Sequence, residues 1–199
     1  MSIPLTLRRA TSADIPDIVD VHLSAIADSP FEARCFPATD PATRNYYLAY
    51  ITRNLHDITL ACDAGGVVLG YVRWVKNPRK DFQDSRPEFR LDMYPSRGDQ
   101  ELAMRYLETA YENRMQSVGG ESHCFLSMLM VKKEMQRKRV GAALLDPCLR
   151  QADDYGWPCF VNGSTKGRGL YEKLGFQVVG MSIFQEGICC YHMEREPKL

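Results

Sequence analysis

The chain has 199 residues, 45% of them hydrophobic, which is enough for one sizeable core and too short for a second full domain. Twenty-five basic and 25 acidic residues give a formal net charge of +0, which excludes a broad electrostatic field toward nucleic acid or an anionic membrane. The opening residues carry no apolar signal core, and no stretch approaches the roughly 18 apolar residues of a membrane span, so a single-domain cytoplasmic protein is expected.

Residues 4–9 (PLTLRR) alternate like a first strand, and Thr11 with Asp14 three positions later reads as a capping box opening a helix. The apolar stripe Ile15, Ile18, Val19, Leu23, Ile26 continues it, and Asp28-Ser29-Pro30 reads as its end. His22 lies on that stripe, where a satisfied core histidine is expected over a catalytic one. After an irregular stretch over 28–40, Asp40-Pro41 predicts a capped helix to about Asn54. The β-rich runs 58–63 and 67–75 flank Ala64-Gly65-Gly66 and predict an antiparallel hairpin. Residues 76–98 are rich in proline and charge and read as a long loop, followed by an amphipathic helix from Asp99 that closes at Gly119-Gly120.

The run HCFLSMLMV (123–131) has the length and continuous apolarity of a central strand covered on both faces. A basic segment follows (KKEMQRKR, 132–139), then a helix whose apolar positions 140, 144, 145, 148, 149 and 152 share one face. Strand, cationic turn and helix start together expose unpaired backbone N–H groups toward one point, which suits a phosphate. Taken alone, 132–139 also reads as a solvated turn or as a nuclear-targeting or nucleic-acid patch. Farther on come a buried strand at 158–162, a helix capped at Ser164 and ending at Gly175, and two closing β segments. This order puts the loops after 131 and 162 at one end of a mixed α/β sheet.

These residues resemble the GNAT superfamily of N-acetyltransferases. Leu129-Met130-Val131 followed by Gln136-Arg137-Lys138-Arg139-Val140-Gly141 resembles the family's "Q/R-x-x-G-x-G/A" element, Leu170-Tyr171 through Gly175-Phe176 resembles its "LYxKLGF" ending, and Asn162-Gly163-Ser164 lies between them. The specific resemblance covers about 124–182. It implies an α/β (α+β) single domain with a mixed, mostly antiparallel central sheet flanked by helices and a V-shaped splay between central strands. The coenzyme half would span about 123–182, with acceptor-side elements at about 11–54 and 76–98. Arg139 departs from the pattern by standing where the family has its first glycine, and Pro147 should kink its helix.

By that resemblance, acetyl-CoA is the co-substrate and no metal is needed. Main-chain groups from Gln136 through Arg137, Lys138, Arg139, Val140 and Gly141 to Ala142 would hold its pyrophosphate, while Met130 and Val131 would meet its pantetheine arm as a strand edge does, with Leu129 also counted among the coenzyme-binding residues. The Val131 N–H would stabilise the developing oxyanion, and Tyr171 would protonate the departing thiolate. Asn162 and Ser164 would orient coenzyme or acyl group. Their plain alternatives are strand-end and capping residues, and for Tyr171 a packed ring with a surface hydroxyl.

The implied reaction is direct acetyl transfer to a primary amine, small molecule or peptide, by a monomer or homodimer that uses neither nucleic acid nor membrane. The rival reading is a non-catalytic acyl-CoA-binding module. No residue identifies itself as the base: Ser127 and His123 lie on the central strand, and Glu88, Asp92 and Glu186 in loops that could approach it. The acceptor surfaces are expected around 28–40, 76–98 and 184–188, where Phe82, Phe89 and Tyr94 with Arg79, Arg86 and Arg90 frame a pocket or cover the core. Seven cysteines without CxxC spacing read as reduced, mostly buried thiols, and Cys189, Cys190 and His192 on an alternating strand do not converge on a metal.

Overall fold

In the computed structural model, which describes residues 4–78 and 86–198, seven strands form one sheet in the order β1-β2-β3-β4-β5-β7-β6. They are β1 (Thr6–Arg9), β2 (Ile58–Cys62), β3 (Val68–Asn77), β4 (His123–Val131), β5 (Cys159–Gly163), β6 (Gln177–Gln185) and β7 (Ile188–Arg195). Among the described residues β4 and β5 make the parallel pair and every other neighbouring pair is antiparallel. A parallel pair needs a crossover, and α5 (Val140–Tyr155) supplies it. The expected mixed, mostly antiparallel α/β sheet is what forms.

Helices cover both faces because the strands are apolar on both. On one side α1 (Ile15–Ile26), α3 (Pro41–Arg53) and α4 (Gln100–Val118) bury Ile18, Ile51, Leu60, Tyr71 and Leu102. On the other, α5 and α6 (Thr165–Lys173) bury Val72, Leu126, Leu144, Val161 and Tyr171. Short polar side chains fix where the chain turns. Asp63 Oδ1 accepts the N–H groups of Gly65 and Val67, both at 2.9 Å, and so closes the β2–β3 hairpin. Asp40 accepts Ala42 N–H at 3.1 Å and Asp99 accepts Leu102 N–H at 3.0 Å, starting α3 and α4 as expected.

Two local expectations are corrected. The Thr11–Asp14 box forms, with Asp14 accepting both the Thr11 N–H and hydroxyl at 2.8 Å, but it closes a 3-10 turn (Ser12–Asp14) and the α-helix begins at Ile15. The stretch 28–40 is not wholly irregular: it contains α2 (Pro30–Cys35), with Ser29 extended before a proline at the first helical position. Ser29-Pro30 ends one helix and starts the next, since proline lacks only an N–H that the first turn leaves unbonded anyway. Helix α5 runs continuously through Pro147.

All seven cysteines are free, and five are buried. Burial pushes the Cys124 thiol up to about 12, so it carries little thiolate at neutral pH. Among the described residues no group of three or more metal-ligating side chains gathers, and no helix is long and apolar enough to cross a membrane.

The C-terminal strand is tied to α5 by a buried fork: Arg195 Nη1 and Nη2 donate to Asp153 Oδ1 and Oδ2, each at 2.8 Å, with Arg195 4% exposed. The Arg195 hydrogen bonds hold the Asp153 carboxyl below its usual range, as the Arg8 fork does for Asp14. A depressed folded-state pKa gives stability that is present above the unfolded carboxylate value and lost as pH falls through the folded one. Arg195→Met should therefore cost about 3 kcal/mol at pH 7, because it strands a partly buried carboxylate, and this difference should shrink below about pH 4. Urea unfolding followed by circular dichroism across that pH range measures it.

Candidate active site

Strands β4 and β5 pair only from Cys124↔Cys159 to Leu126↔Val161. Beyond Leu126, β4 continues for five residues and β5 for two without facing partners, so the strands part and open a gap toward their C-terminal ends. The register of β3 against β4 jumps at this point: Trp74 pairs with Leu126 and Arg73 with Met128, leaving Ser127 as the extra residue of a bulge.

The bulge decides which main-chain groups face the gap. At the foot of β4, Cys124 N–H donates to Pro158 O at 2.9 Å, on the β5 side. Above the bulge Lys132 N–H donates to Leu69 O at 2.9 Å, on the β3 side. Antiparallel ladders alternate, so Met130 also bonds toward β3, whereas Leu129 and Val131 turn their N–H and C=O away from it, into the gap. A side chain added at Gly70 would meet Met130 O at 2.8 Å, which agrees with that direction. Of the two residues expected to pair with the coenzyme arm, Val131 turns its N–H into the gap while Met130 turns its main chain toward β3; Leu129 offers its main chain to the gap as well.

The loop after β4 is fastened on both sides. Gln136 Nε2 donates to Val131 O at 3.1 Å, Lys133 N–H donates to Ser24 Oγ at 3.1 Å, and Lys133 Nζ pairs with Asp28 at 2.7 Å. Arg137 and Arg139 have φ of 63° and 66°, the left-handed region that favours glycine. Arg139, standing where the motif has glycine, therefore keeps a glycine-like backbone. The α5 ladder opens with Ala143 N–H on Arg139 O at 3.0 Å, which leaves the amides of Val140, Gly141 and Ala142 unbonded within the helix. Arg137, Lys138 and Arg139, which immediately precede them in the chain, are exposed. Gly141 packs closely, since a Cβ there would lie 3.3 Å from Leu170 and 3.4 Å from Leu129.

Across the gap, Ser164 caps α6 by accepting Gly167 N–H at 3.3 Å. Tyr171 is buried on two glycines: Cβ atoms at Gly163 and Gly167 would stand 3.2 and 3.0 Å from its ring. Its hydroxyl makes no hydrogen bond with the described residues, and burial pushes it up to about 12, so it stays protonated at neutral pH. Asn162 is bound into the scaffold, with Nδ2 donating to Ala110 O at 3.0 Å and Oδ1 2.7 Å from His192 Nδ1. Its side chain joins β5 to α4 and β7.

The other named residues scatter. His22 is buried against Tyr47, with Nδ1 2.6 Å from the Tyr71 hydroxyl, and burial drops it to about 3. His123 sits at the start of β4, roughly 25 Å of extended strand from Val131. Ser127 is held by Tyr50 OH at 3.1 Å and Arg73 Nη1 at 3.0 Å. Arg86 pairs with Glu108 and Glu112, Arg90 with Glu88 and Asp92, and Tyr94 packs into the core, so these cover the surface and core. Arg79 and Phe82 lie outside the described residues. The fastening of Lys133 to α1 had no signal in the sequence, because its partners are more than a hundred residues away.

The family model described as acetyltransferase (GNAT) domain matches residues 104–197, which contain the gap, its loop and Tyr171. Over those residues the sequence is similar to the GNAT acetyltransferase domain. Solved GNAT-like folds agree. The structure described as histone acetyltransferase HPA2 and related acetyltransferase from Corynebacterium glutamicum has 24% identity and a TM-score of 0.67, covering 100% of this chain and 98% of its own. Arylalkylamine N-acetyltransferase 2 from Aedes aegypti has 13% identity and a TM-score of 0.69, covering 98% and 99%. An agmatine N-acetyltransferase has 14% identity and a TM-score of 0.69, covering 96% and 99%. At these identities the likeness is one of fold, and it extends over the N-terminal half that lies outside the family match. No curated protein matches the sequence.

Because Arg139 occupies the left-handed region without a glycine's freedom, Arg139→Gly in the GNAT loop should stabilise the fold by about 1 kcal/mol. Thermal unfolding of the two proteins side by side measures this.

Proposed function

We propose that the protein transfers an acetyl group from acetyl-CoA to a primary amine by direct attack in a ternary complex. The observation that carries the reading is the re-aimed β4 edge: Val131 turns its N–H into a gap whose lip holds the unbonded amides of α5. The residues present suit the coenzyme. Amides of Val140, Gly141 and Ala142 at a helix N-terminus, preceded by the exposed cations of Arg137, Lys138 and Arg139, are suited to a pyrophosphate. Leu129 and Val131 offer the main-chain groups that an amide-bearing arm pairs with.

Acetyl-CoA, when bound, supplies an acetyl carbon made electrophilic by its thioester. The Val131 N–H then stabilises negative charge on the acetyl oxygen as the amine attacks. Tyr171, protonated and without a hydrogen-bond partner among the described residues, gives its proton to the leaving sulfur. Asn162 and Ser164 act here by holding β5 and α6 in position.

The rival non-catalytic acyl-CoA-binding module has two supports, the missing motif glycine at Arg139 and the missing obvious base. The left-handed Arg139 backbone, which has the conformation a glycine would provide, speaks against the first. Tyr171→Phe should lower kcat by about a hundredfold with acetyl-CoA affinity changed less than about twofold. Gly141→Glu, which drives a carboxylate into Leu129 and Leu170 beside the amide cluster, should abolish coenzyme binding. Calorimetric titration and thiol-release kinetics on the two variants check both outcomes, and full turnover by Tyr171→Phe removes the acid assigned here.

A further inference from the structure

Helix α2 starts beside the loop that follows β4 and packs on α4. Asp28, two residues before it, pairs with Lys133 of the loop after β4, while Lys166, at the start of α6 after β5, acts electrostatically on both Asp28 and Glu32. The segment that sequence patterning leaves irregular is therefore fastened to the β4 lip through Asp28 and lies within the electrostatic reach of Lys166. On its inner side three half-buried rings make a continuous wall: Phe31 of α2 stacks on Tyr106 of α4 at 4.0 Å between centroids, and Tyr106 meets Phe184 of β6 at 4.8 Å. These rings pack on the same core cluster as Met128 and Met130, so they stand on the side of the sheet that α1 and α4 cover.

Glu32 is the next residue after Phe31. The Ser29 hydroxyl donates to its Oε2, as at a helix cap, but capping needs no burial. The titratable groups that interact electrostatically with this carboxylate from other elements are Tyr47 of α3, Tyr106 of α4 and Lys166 of α6, and on its own helix Cys35; burial outweighs the Lys166 charge and raises its pKa. No base was legible in the sequence; Ser127, His123, Glu88 and Asp92 bond elsewhere, and Glu186 is exposed in the turn between β6 and β7. A half-buried carboxylate beside aromatic faces attracts an ammonium group by charge and by the ring quadrupoles, and the rings offer apolar surface to whatever flat group the amine carries.

Resting on the acetyltransferase reading above, we propose that Glu32 receives the acceptor's ammonium and takes its proton, with Phe31, Tyr106 and Phe184 selecting primary amines that carry an aromatic or similarly flat apolar group. The bookkeeping of the step closes. The nitrogen loses two protons as it bonds the acetyl carbon and the carbon–sulfur bond breaks. One proton leaves through Glu32 to solvent, and the other replaces the proton that Tyr171 gives to sulfur.

The test compares 2-phenylethylamine with ethylamine, which has the ammonium and no ring, in wild type, Glu32→Gln and Phe184→Ala, with acetyl-CoA binding measured by calorimetry on each. Wild type should favour phenylethylamine in kcat/KM by at least about tenfold, and Phe184→Ala should shrink that ratio. Glu32→Gln should bind acetyl-CoA normally yet lose about a hundredfold in kcat/KM for both amines, and its rate should lack the fall that wild type shows as acid protonates the base. Normal coenzyme binding with undiminished turnover and an unchanged pH profile in Glu32→Gln, or equal use of the two amines by wild type, overturns this inference alone. A wild type that binds no acetyl-CoA overturns the reading beneath it as well.

Discussion

One extra residue in β4 governs this molecule. Below Ser127 the strand bonds to β5 through even-numbered residues, and without the bulge it would go on doing so through Met128 and Met130. The bulge reverses that alternation while the β3 ladder continues beyond it, so the sheet stays whole on one side and on the other β4 turns the main chain of Leu129 and the Val131 N–H away from any strand partner. Unpaired N–H and C=O groups inside a protein are costly unless water or a ligand meets them, and the parting of β5 gives them an open cleft. The same distortion aims the donors and makes room for what they bind.

The loop above that cleft bears its own cost. Two arginines in the left-handed region each raise the energy of the folded chain by about 1–2 kcal/mol, and the loop holds only because both its ends are fastened. Gln136 ties it back to the last β4 carbonyl, and Lys133 ties it to α1 through Ser24 and Asp28. Arginine at 139 in place of glycine places an exposed cation immediately before α5. Tyr171 shows a parallel economy: Gly163 and Gly167 let its ring sit flush on the backbone, and its hydroxyl is left without a partner among the described residues.

Much of this could be read from the chain because it is local. The apolar run 123–131, the periodic face of 140–152 and the capping residues Asp40, Asp99 and Ser164 each act within a few residues, and their elements form where expected. What escaped depends on partners distant in sequence. The bulge at Ser127 is a property of β4 against β3, fifty residues earlier, and α2 is too short for periodicity to show. Phe31, Tyr106 and Phe184 come from three elements that only the finished fold brings together, which is why aromatic residues of the 76–98 loop drew attention instead. Asn162 lies where the motif predicts, yet its amide is already committed to Ala110 and His192, a bonding pattern that no linear motif reveals.

The account stands or falls on the direction of individual main-chain groups along the upper half of β4. Amide hydrogen exchange followed by NMR, with and without saturating acetyl-CoA, reads them one at a time. The Met130 amide, bonded to β3, should exchange slowly in both states. The Val131 amide should exchange fast in the free protein and slow markedly in the complex, together with those of Val140, Gly141 and Ala142. A Val131 amide that is already protected without coenzyme, or that is indifferent to its addition, would contradict the geometry from which the function is argued.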